Sequence, residues 1–176
     1  MKPATIQAHE TTTHRYNQDN LQTVTNIYVD DDKRFYKNIR TPYPNEPTTD
    51  RFAIHFSDEK GEGLVTLHDI KANEIVFVFS GKSVKSQSLF TLQKRPGKYI
   101  EDRVVMGKVL HSCEPNMTCD MTTQTFTAAR DIRHGEHLTM DYESTEDELF
   151  RSFICGCGSQ LCRGHIRGRL HRLPTI

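Results

Sequence analysis

Leu110-His111-Ser112-Cys113-Glu114-Pro115-Asn116, then Glu136-His137-Leu138-Thr139-Met140-Asp141-Tyr142, then Cys155-Gly156-Cys157-Gly158-Ser159-Gln160-Leu161-Cys162 form the stretch from which the fold is read. Its last segment sets the terms. Cys155, Cys157 and Cys162 place three thiols within eight residues, and Gly156 and Gly158 let the backbone turn sharply enough for neighbouring sulfurs to converge. Free cysteine is often a small buried side chain, but such spacing rarely arises from packing alone. Tetrahedral zinc asks for one more ligand from elsewhere in the chain.

Outward from these segments the sequence reads as short strands. Phe52, Ile54 and Phe56 alternate, and LVTL, EIVFVF, LFTLQ, TFTAA and HLTM follow, each rich in β-branched or aromatic residues and bounded by turn formers. LHDIKANEIV (67–76) and ARDIRHGEHL (129–138) echo one another, with Asn73 and Gly135 in matching places. Both residue types tolerate the positive φ of a tight turn, so both segments are expected to be hairpins, turn chemistry used twice. One helix is expected over Thr145 to Phe153, where Thr145 and Glu148 have the spacing of a capping box.

Composition narrows the partners. Lys+Arg and Asp+Glu each number 23, so no net field holds the chain on nucleic acid or on an acidic membrane surface. The first residues are polar and no apolar run of ~18 residues exists, which leads to the expectation of a cytoplasmic protein without a membrane span. In a reducing compartment five cysteines argue for metal rather than disulfides. A hydrophobic fraction of 35% and a mean hydropathy of −0.64 are lean, pointing to a flexible, irregular lead-in over 1–50. The main domain is then expected over 51–145, with a short helix and the cysteine tail over 146–176.

Taken together and in this order, Gly61-Glu62-Gly63-Leu64, the HSCEPN segment, the EHLTMDY segment and the cysteine tail resemble the SET-domain methyltransferases that carry a zinc-binding tail after the domain. The resemblance runs from about Phe52 to Gly168. It implies a mainly β fold of several small sheets with a knot-like crossing and few short helices, an S-adenosylmethionine cofactor and one structural zinc. In that family Cys113 corresponds to the fourth zinc ligand beside Cys155, Cys157 and Cys162, which leaves Cys119 as a spare. The family places the backbone of Gly61, Glu62, Gly63 and Leu64 against the cofactor, with Leu110 and His111 at its adenine end and an apolar tail residue, here Leu161, over the adenine. Tyr142 corresponds to the catalytic tyrosine.

Three positions depart from the family pattern. Leu110 stands where an Asn is usual, Phe79 where a Tyr is usual, and Met140 where Phe or Tyr is usual. Phe79 and Met140 are expected in the substrate channel, which loses hydroxyls and becomes roomier and more apolar. The implied activity is methylation of a protein lysine. Two alternatives stay open: an enzyme that uses S-adenosylmethionine on a small-molecule amine, and a non-catalytic module that keeps the scaffold to bind a partner.

Overall fold

The computed structural model describes residues 31–58 and 61–171. Twelve short strands build five small sheets among them. β1 (Phe52–Ser57) pairs antiparallel with β2 (Gly61–Thr66). β3 (Ile75–Val78) lies beside β9 (Thr125–Ala128), which pairs in turn with β8 (Met117–Asp120). β4 (Lys82–Val84), β5 (Thr91–Arg95) and β6 (Lys98–Glu101) form a third sheet with β6 in the middle. β7 (Leu110–His111) runs parallel to β10 (Thr139–Met140), and β11 (Phe153–Ile154) pairs with β12 (His165–Ile166).

The apolar alternation explains the packing. Phe52, Phe77, Phe79 and Phe126 are fully buried, with ring centroids 5.5 Å apart for Phe52 and Phe77 and 4.8 Å for Phe77 and Phe126. Leu64, Ile70, Ile132, Leu138 and Met140 complete this core. Among the described residues helical content is limited to single 3₁₀ turns at Asp31–Lys33, Met106–Lys108, Tyr142–Ser144 and Arg169–His171.

The two echoing segments are not hairpins, because the strands flanking each turn pair with other partners. Instead the two turns bind each other. Ile70 and Ile132 exchange backbone hydrogen bonds of 2.8 Å in both directions. The Asp69 carboxylate accepts the N–H of His134, and the Asp131 carboxylate accepts the N–H of Ala72, each at 3.0 Å or less. Asn73 (φ 69°) and Gly135 (φ 81°) do occupy the left-handed region expected of them. A short polar motif used twice thus makes a local two-fold clasp.

The helix expected over Thr145 to Phe153 is also absent, for a visible reason. The backbone N–H groups it would have used are claimed from outside: Asp147 donates to Gln93 Oε1 and Leu149 to Arg167 O. The Glu148 side chain, which would have closed the capping box, is exposed beside His171. Tertiary partners thereby outweigh local propensity.

Residues 31–50 pack onto the domain. Arg34 and Glu46 form a buried ion pair at 2.8 Å, and Tyr36 joins the core. The Asp31 and Asp32 carboxylates of the acidic run lie on an exposed turn. The Tyr36 hydroxyl donates to Asp102 Oδ2 at 2.5 Å, and the same carboxylate accepts the N–H groups of Val104, Val105 and Met106. Asp102 therefore shapes the turn that delivers Val109 and β7. Tyr36→Phe removes one donor from a buried carboxylate and is expected to cost about 1–3 kcal/mol in urea unfolding, with the secondary-structure signal unchanged. A cost near zero would show that the bond contributes nothing.

Residues 1–30 and 172–176 lie outside the described residues, and with them most of the lead-in expected to be flexible.

Candidate functional site

The HSCEPN segment meets the EHLTMDY segment through β7 and β10. Leu110 N–H donates to Leu138 O at 3.1 Å and Ser112 N–H to Met140 O at 3.0 Å. Asn116 locks the junction from the side: its Nδ2 donates to His137 O, its Oδ1 accepts Thr139 N–H, and its own N–H donates to Thr139 Oγ1. The two motifs are thus one unit, although 24 residues separate Asn116 from Met140 in the sequence.

Tyr142 leaves this unit at the start of a 3₁₀ turn. Its hydroxyl donates to Val109 O at 2.7 Å, and its backbone N–H donates to His111 Nδ1 at 3.2 Å. Burial pushes the phenol above its ordinary range, so it stays protonated and cannot serve as a base near neutral pH. Burial likewise holds His111 below the ordinary histidine value, more than Asp141 raises it. With Nδ1 accepting, the ring proton belongs on Nε2, which lies 3.5 Å from Cys113 Sγ. The histidine is a neutral strut between the Tyr142 backbone and a cysteine sulfur.

That sulfur is one of four. Cys113, Cys155, Cys157 and Cys162 bring their Sγ atoms within 4.8 Å of one another, with Cys113 and Cys155 at 3.9 Å. A zinc ion with Zn–S bonds of ~2.3 Å puts tetrahedral sulfurs ~3.8 Å apart, so the four residues fit the ion. Burial raises the Cys113 and Cys155 thiols, while backbone N–H groups lower Cys157, led by that of Cys113. Thiols this close cannot all ionise without a cation between them.

The cysteine segment is fastened to Tyr142 by the residue that follows it. Arg163 pairs with Asp141 at 2.5 Å and with Glu143 at 3.0 Å, the two acids flanking Tyr142. Glu143 Oε1 also accepts the N–H groups of Arg167 and Gly168, and Arg169 pairs with Asp147. The basic tail is therefore tied inward at these positions.

Two cavities meet at Tyr142. One, of 440 Å³, is lined by Leu110, His111, Thr139, Phe153, Ile154 and Cys155 among others. The other, of 260 Å³, is lined mainly by apolar groups including Leu92, Met106, Val109, Met140 and Leu149. Tyr142 and Phe153 line both. Their rings and that of His111 form a cluster with centroids 5.2 to 6.2 Å apart.

Residues 61–143 of this architecture match the SET domain profile. This stretch of the chain is a SET domain. Over 80 residues it is 39% identical to Methyltransferase flvH of Aspergillus flavus, a match covering 44% of this chain and 45% of that protein. Over 143 residues it is 27% identical to the histone-lysine N-methyltransferase ASHH2 of Arabidopsis thaliana, covering 67% of this chain and 8% of that one. The chain thus spans less than half the length of these relatives. Among solved structures, KRYPTONITE in complex with mCHG DNA and SAH superposes with a TM-score of 0.53 at 23% identity, over 65% of this chain and 29% of that one. The methyltransferase domain of human SETMAR gives 0.52 at 22% identity, over 64% and 56%. These likenesses concern the fold.

The expected site residues separate into groups. Tyr142, Leu110 and His111 line the larger cavity, Met140 lines the smaller, and the four cysteines converge. Gly63 stands behind the larger cavity, where a Cβ would come within 2.7 Å of the His137 ring and 2.9 Å of Leu110, both of which line it. Gly61 begins β2 at φ 69°, Glu62 pairs with Lys108 on the surface, and Leu64 is buried in the core. None of these three lines the cavity.

Two positions differ from expectation more sharply. Leu161 is 67% exposed and lies away from both cavities; Phe153 and Ile154, just before the first tail cysteine, line the larger one instead. Phe79 is buried against Phe126 and lines neither cavity, because strand alternation after β3 turns it into the core. Phe153, Val109 and Arg163 were not legible as site residues. Phe153 read as part of a helix, Val109 acts through a carbonyl that any residue has, and Arg163 is one of several basic residues after Cys162 with no motif to single it out.

Proposed function

We propose that this chain is an S-adenosylmethionine-dependent N-methyltransferase whose acceptor is the side-chain amine of a protein lysine. The observation that carries this reading is the pair of cavities with Tyr142 and Phe153 as their common wall. Methyl transfer is an in-line displacement, so donor and acceptor approach a single point from opposite sides. When bound, S-adenosylmethionine supplies a methyl group activated by its sulfonium. Leu110, His111, Phe153 and Ile154 are suited to hold it in the larger cavity, which lies in the size range of ligand sites. The smaller cavity admits an aliphatic amine.

Tyr142 then has one task, to orient the amine. Its oxygen donates to Val109 O, which fixes the phenol and leaves its lone pairs for the incoming group. The amine must react neutral, and an apolar cavity favours that form over the ammonium. Histone-lysine methyltransferases among the relatives support a lysine acceptor.

A small-molecule amine is the second reading. It is supported by Met140 in the cavity in place of an aromatic or phenolic residue, and by a relative, Methyltransferase flvH, that is not named for a histone. Incubation with methyl-labelled S-adenosylmethionine, once with a peptide and lysate panel and once with small aliphatic amines, separates the two by mass spectrometry. Label on lysine residues is the expected result. Label confined to small amines would replace the first reading with the second, and no transfer to either would remove both.

A further inference from the structure

The smaller cavity is lined mainly by apolar groups, with Gln87, Ser88, Thr91 and Glu146 among its polar ones. Glu146 is 2% exposed. Its carboxylate accepts Gln93 N–H at 2.6 Å and Thr145 Oγ1–H at 3.3 Å on Oε1, and Gln87 Nε2–H at 2.7 Å on Oε2. A carboxylate has about four lone-pair sites, so one on Oε2 is left. None of the ion pairs among the described residues includes Glu146, although the neighbouring Asp147 and Glu148 face Arg169 and His171. Burying a carboxylate is costly, and Arg169, already paired with Asp147, is the weakest of the influences that oppose that cost, so burial favours the neutral form.

A structural role accounts for part of this. Glu146 joins β5 to the segment after Tyr142, and a Gln there would still accept Gln93 N–H and Thr145 Oγ1–H on its amide oxygen, while Gln87 would have to turn its own amide oxygen toward the new NH2 group. What that role leaves unexplained is a buried carboxyl group on the wall of a mainly apolar cavity beside Tyr142. We infer that Glu146 is the acceptor-binding residue of this site, its carboxylate holding the cationic end of an alkylamine that enters the cavity.

The inference rests on the proposed function for the meaning of the cavity, and goes beyond it by naming a charge requirement on the acceptor. A neutral alcohol or amide of the same length would lack the countercharge that Glu146 needs. Capture as a cation precedes reaction as a free amine: one N–H bond breaks, one O–H bond forms on the Glu146 carboxylate, and no other reactant is required. Arg151 also lines the cavity, but its side chain is exposed to solvent and screened there.

The test reads binding rather than turnover. Met106 and Met140 line the cavity, so protein carrying ¹³C-methyl methionine, held with S-adenosylhomocysteine, is titrated with n-butylammonium and separately with n-butanol. In the wild type the Met106 and Met140 signals are expected to shift with butylammonium at a concentration at least about tenfold lower than with butanol, which corresponds to about 1.4 kcal/mol. Glu146→Gln should lose that preference while still binding butanol, which also shows that it has folded, and Glu146→Asp should recover part of it. Equal affinity for the two ligands in the wild type, or an unchanged preference in Glu146→Gln, would overturn the inference. Because no methyl transfer is measured, a chain that binds butylammonium through Glu146 yet methylates no amine would refute the proposed function alone.

Discussion

Tyr142→Phe is expected to lower methyl transfer by about 100- to 1,000-fold, the usual effect of removing one preorganised polar group that acts in the transition state, while S-adenosylhomocysteine affinity changes by less than about threefold. The split follows from where the hydroxyl points. The phenol donates to Val109 O, on the side of the smaller cavity, whereas the ring packs with His111 and Phe153 along the larger one. Losing the oxygen leaves the ring wall standing and frees the amine to rotate. Since burial keeps this phenol protonated, no basic limb in the wild-type rate is expected from Tyr142 below pH 10. Single-turnover kinetics with calorimetry on the same samples decides the matter. A mutant that transfers methyl at the wild-type rate would take Tyr142 out of the mechanism.

Removing zinc should do more, because it attacks the wall itself. The residues from Cys155 to Cys162 make few apolar contacts of their own, and Ile154 and Leu161 are largely exposed. The four sulfurs and the Ser159–Glu114 hydrogen bond hold this segment against the Cys113 loop, and the Arg163 pairs fasten it beside Tyr142. Metal-dependent closure of this kind is strongly favourable, and even a contribution of ~5 kcal/mol would move the melting temperature by ~10–20 °C. Chelation, or Cys113→Ser, is therefore expected to free Phe153 and Ile154 from the cavity, abolish S-adenosylhomocysteine binding and lower the melting temperature by that amount. The sheet signal in circular dichroism should persist, since the core around Phe52, Phe77 and Phe126 draws nothing from 150–162. Elemental analysis is expected to give one zinc per chain before chelation. A chelated sample that melts and binds cofactor as before would show that the four thiols close the tail without a metal.

These two experiments probe different parts of one construction. The four cysteines gather the segment that lines the larger cavity, and Tyr142 stands at the boundary between that cavity and the smaller one. Arg163 couples them, since it follows Cys162 in sequence and pairs with the acids on both sides of Tyr142.

The sequence by itself determined the chemistry that depends on rare residues in fixed order. Three cysteines spaced around glycines bring their thiols together wherever the backbone can turn, and Asp141-Tyr142 after a short β-run marks the phenol. The positive φ at Asn73 and Gly135 was legible for the same reason, because the requirement is local. Only the tertiary structure decided which side chains face which space. Phe79 and Met140 read alike as channel residues, yet one packs into the core and the other lines a cavity, because a strand's two faces are told apart only by what lies beyond them. Thr145 to Phe153 reads as a helix until Gln93 and Arg167, distant in sequence, take its hydrogen bonds. Leu161 and Ile154 are both apolar residues beside the converging cysteines, and the fold of the cysteine loop sends only Ile154 to the cavity. Glu146, an unremarked acid in a charged run, becomes a buried carboxylate when β5 closes over it. Burial, unlike spacing, is a property of the assembled chain.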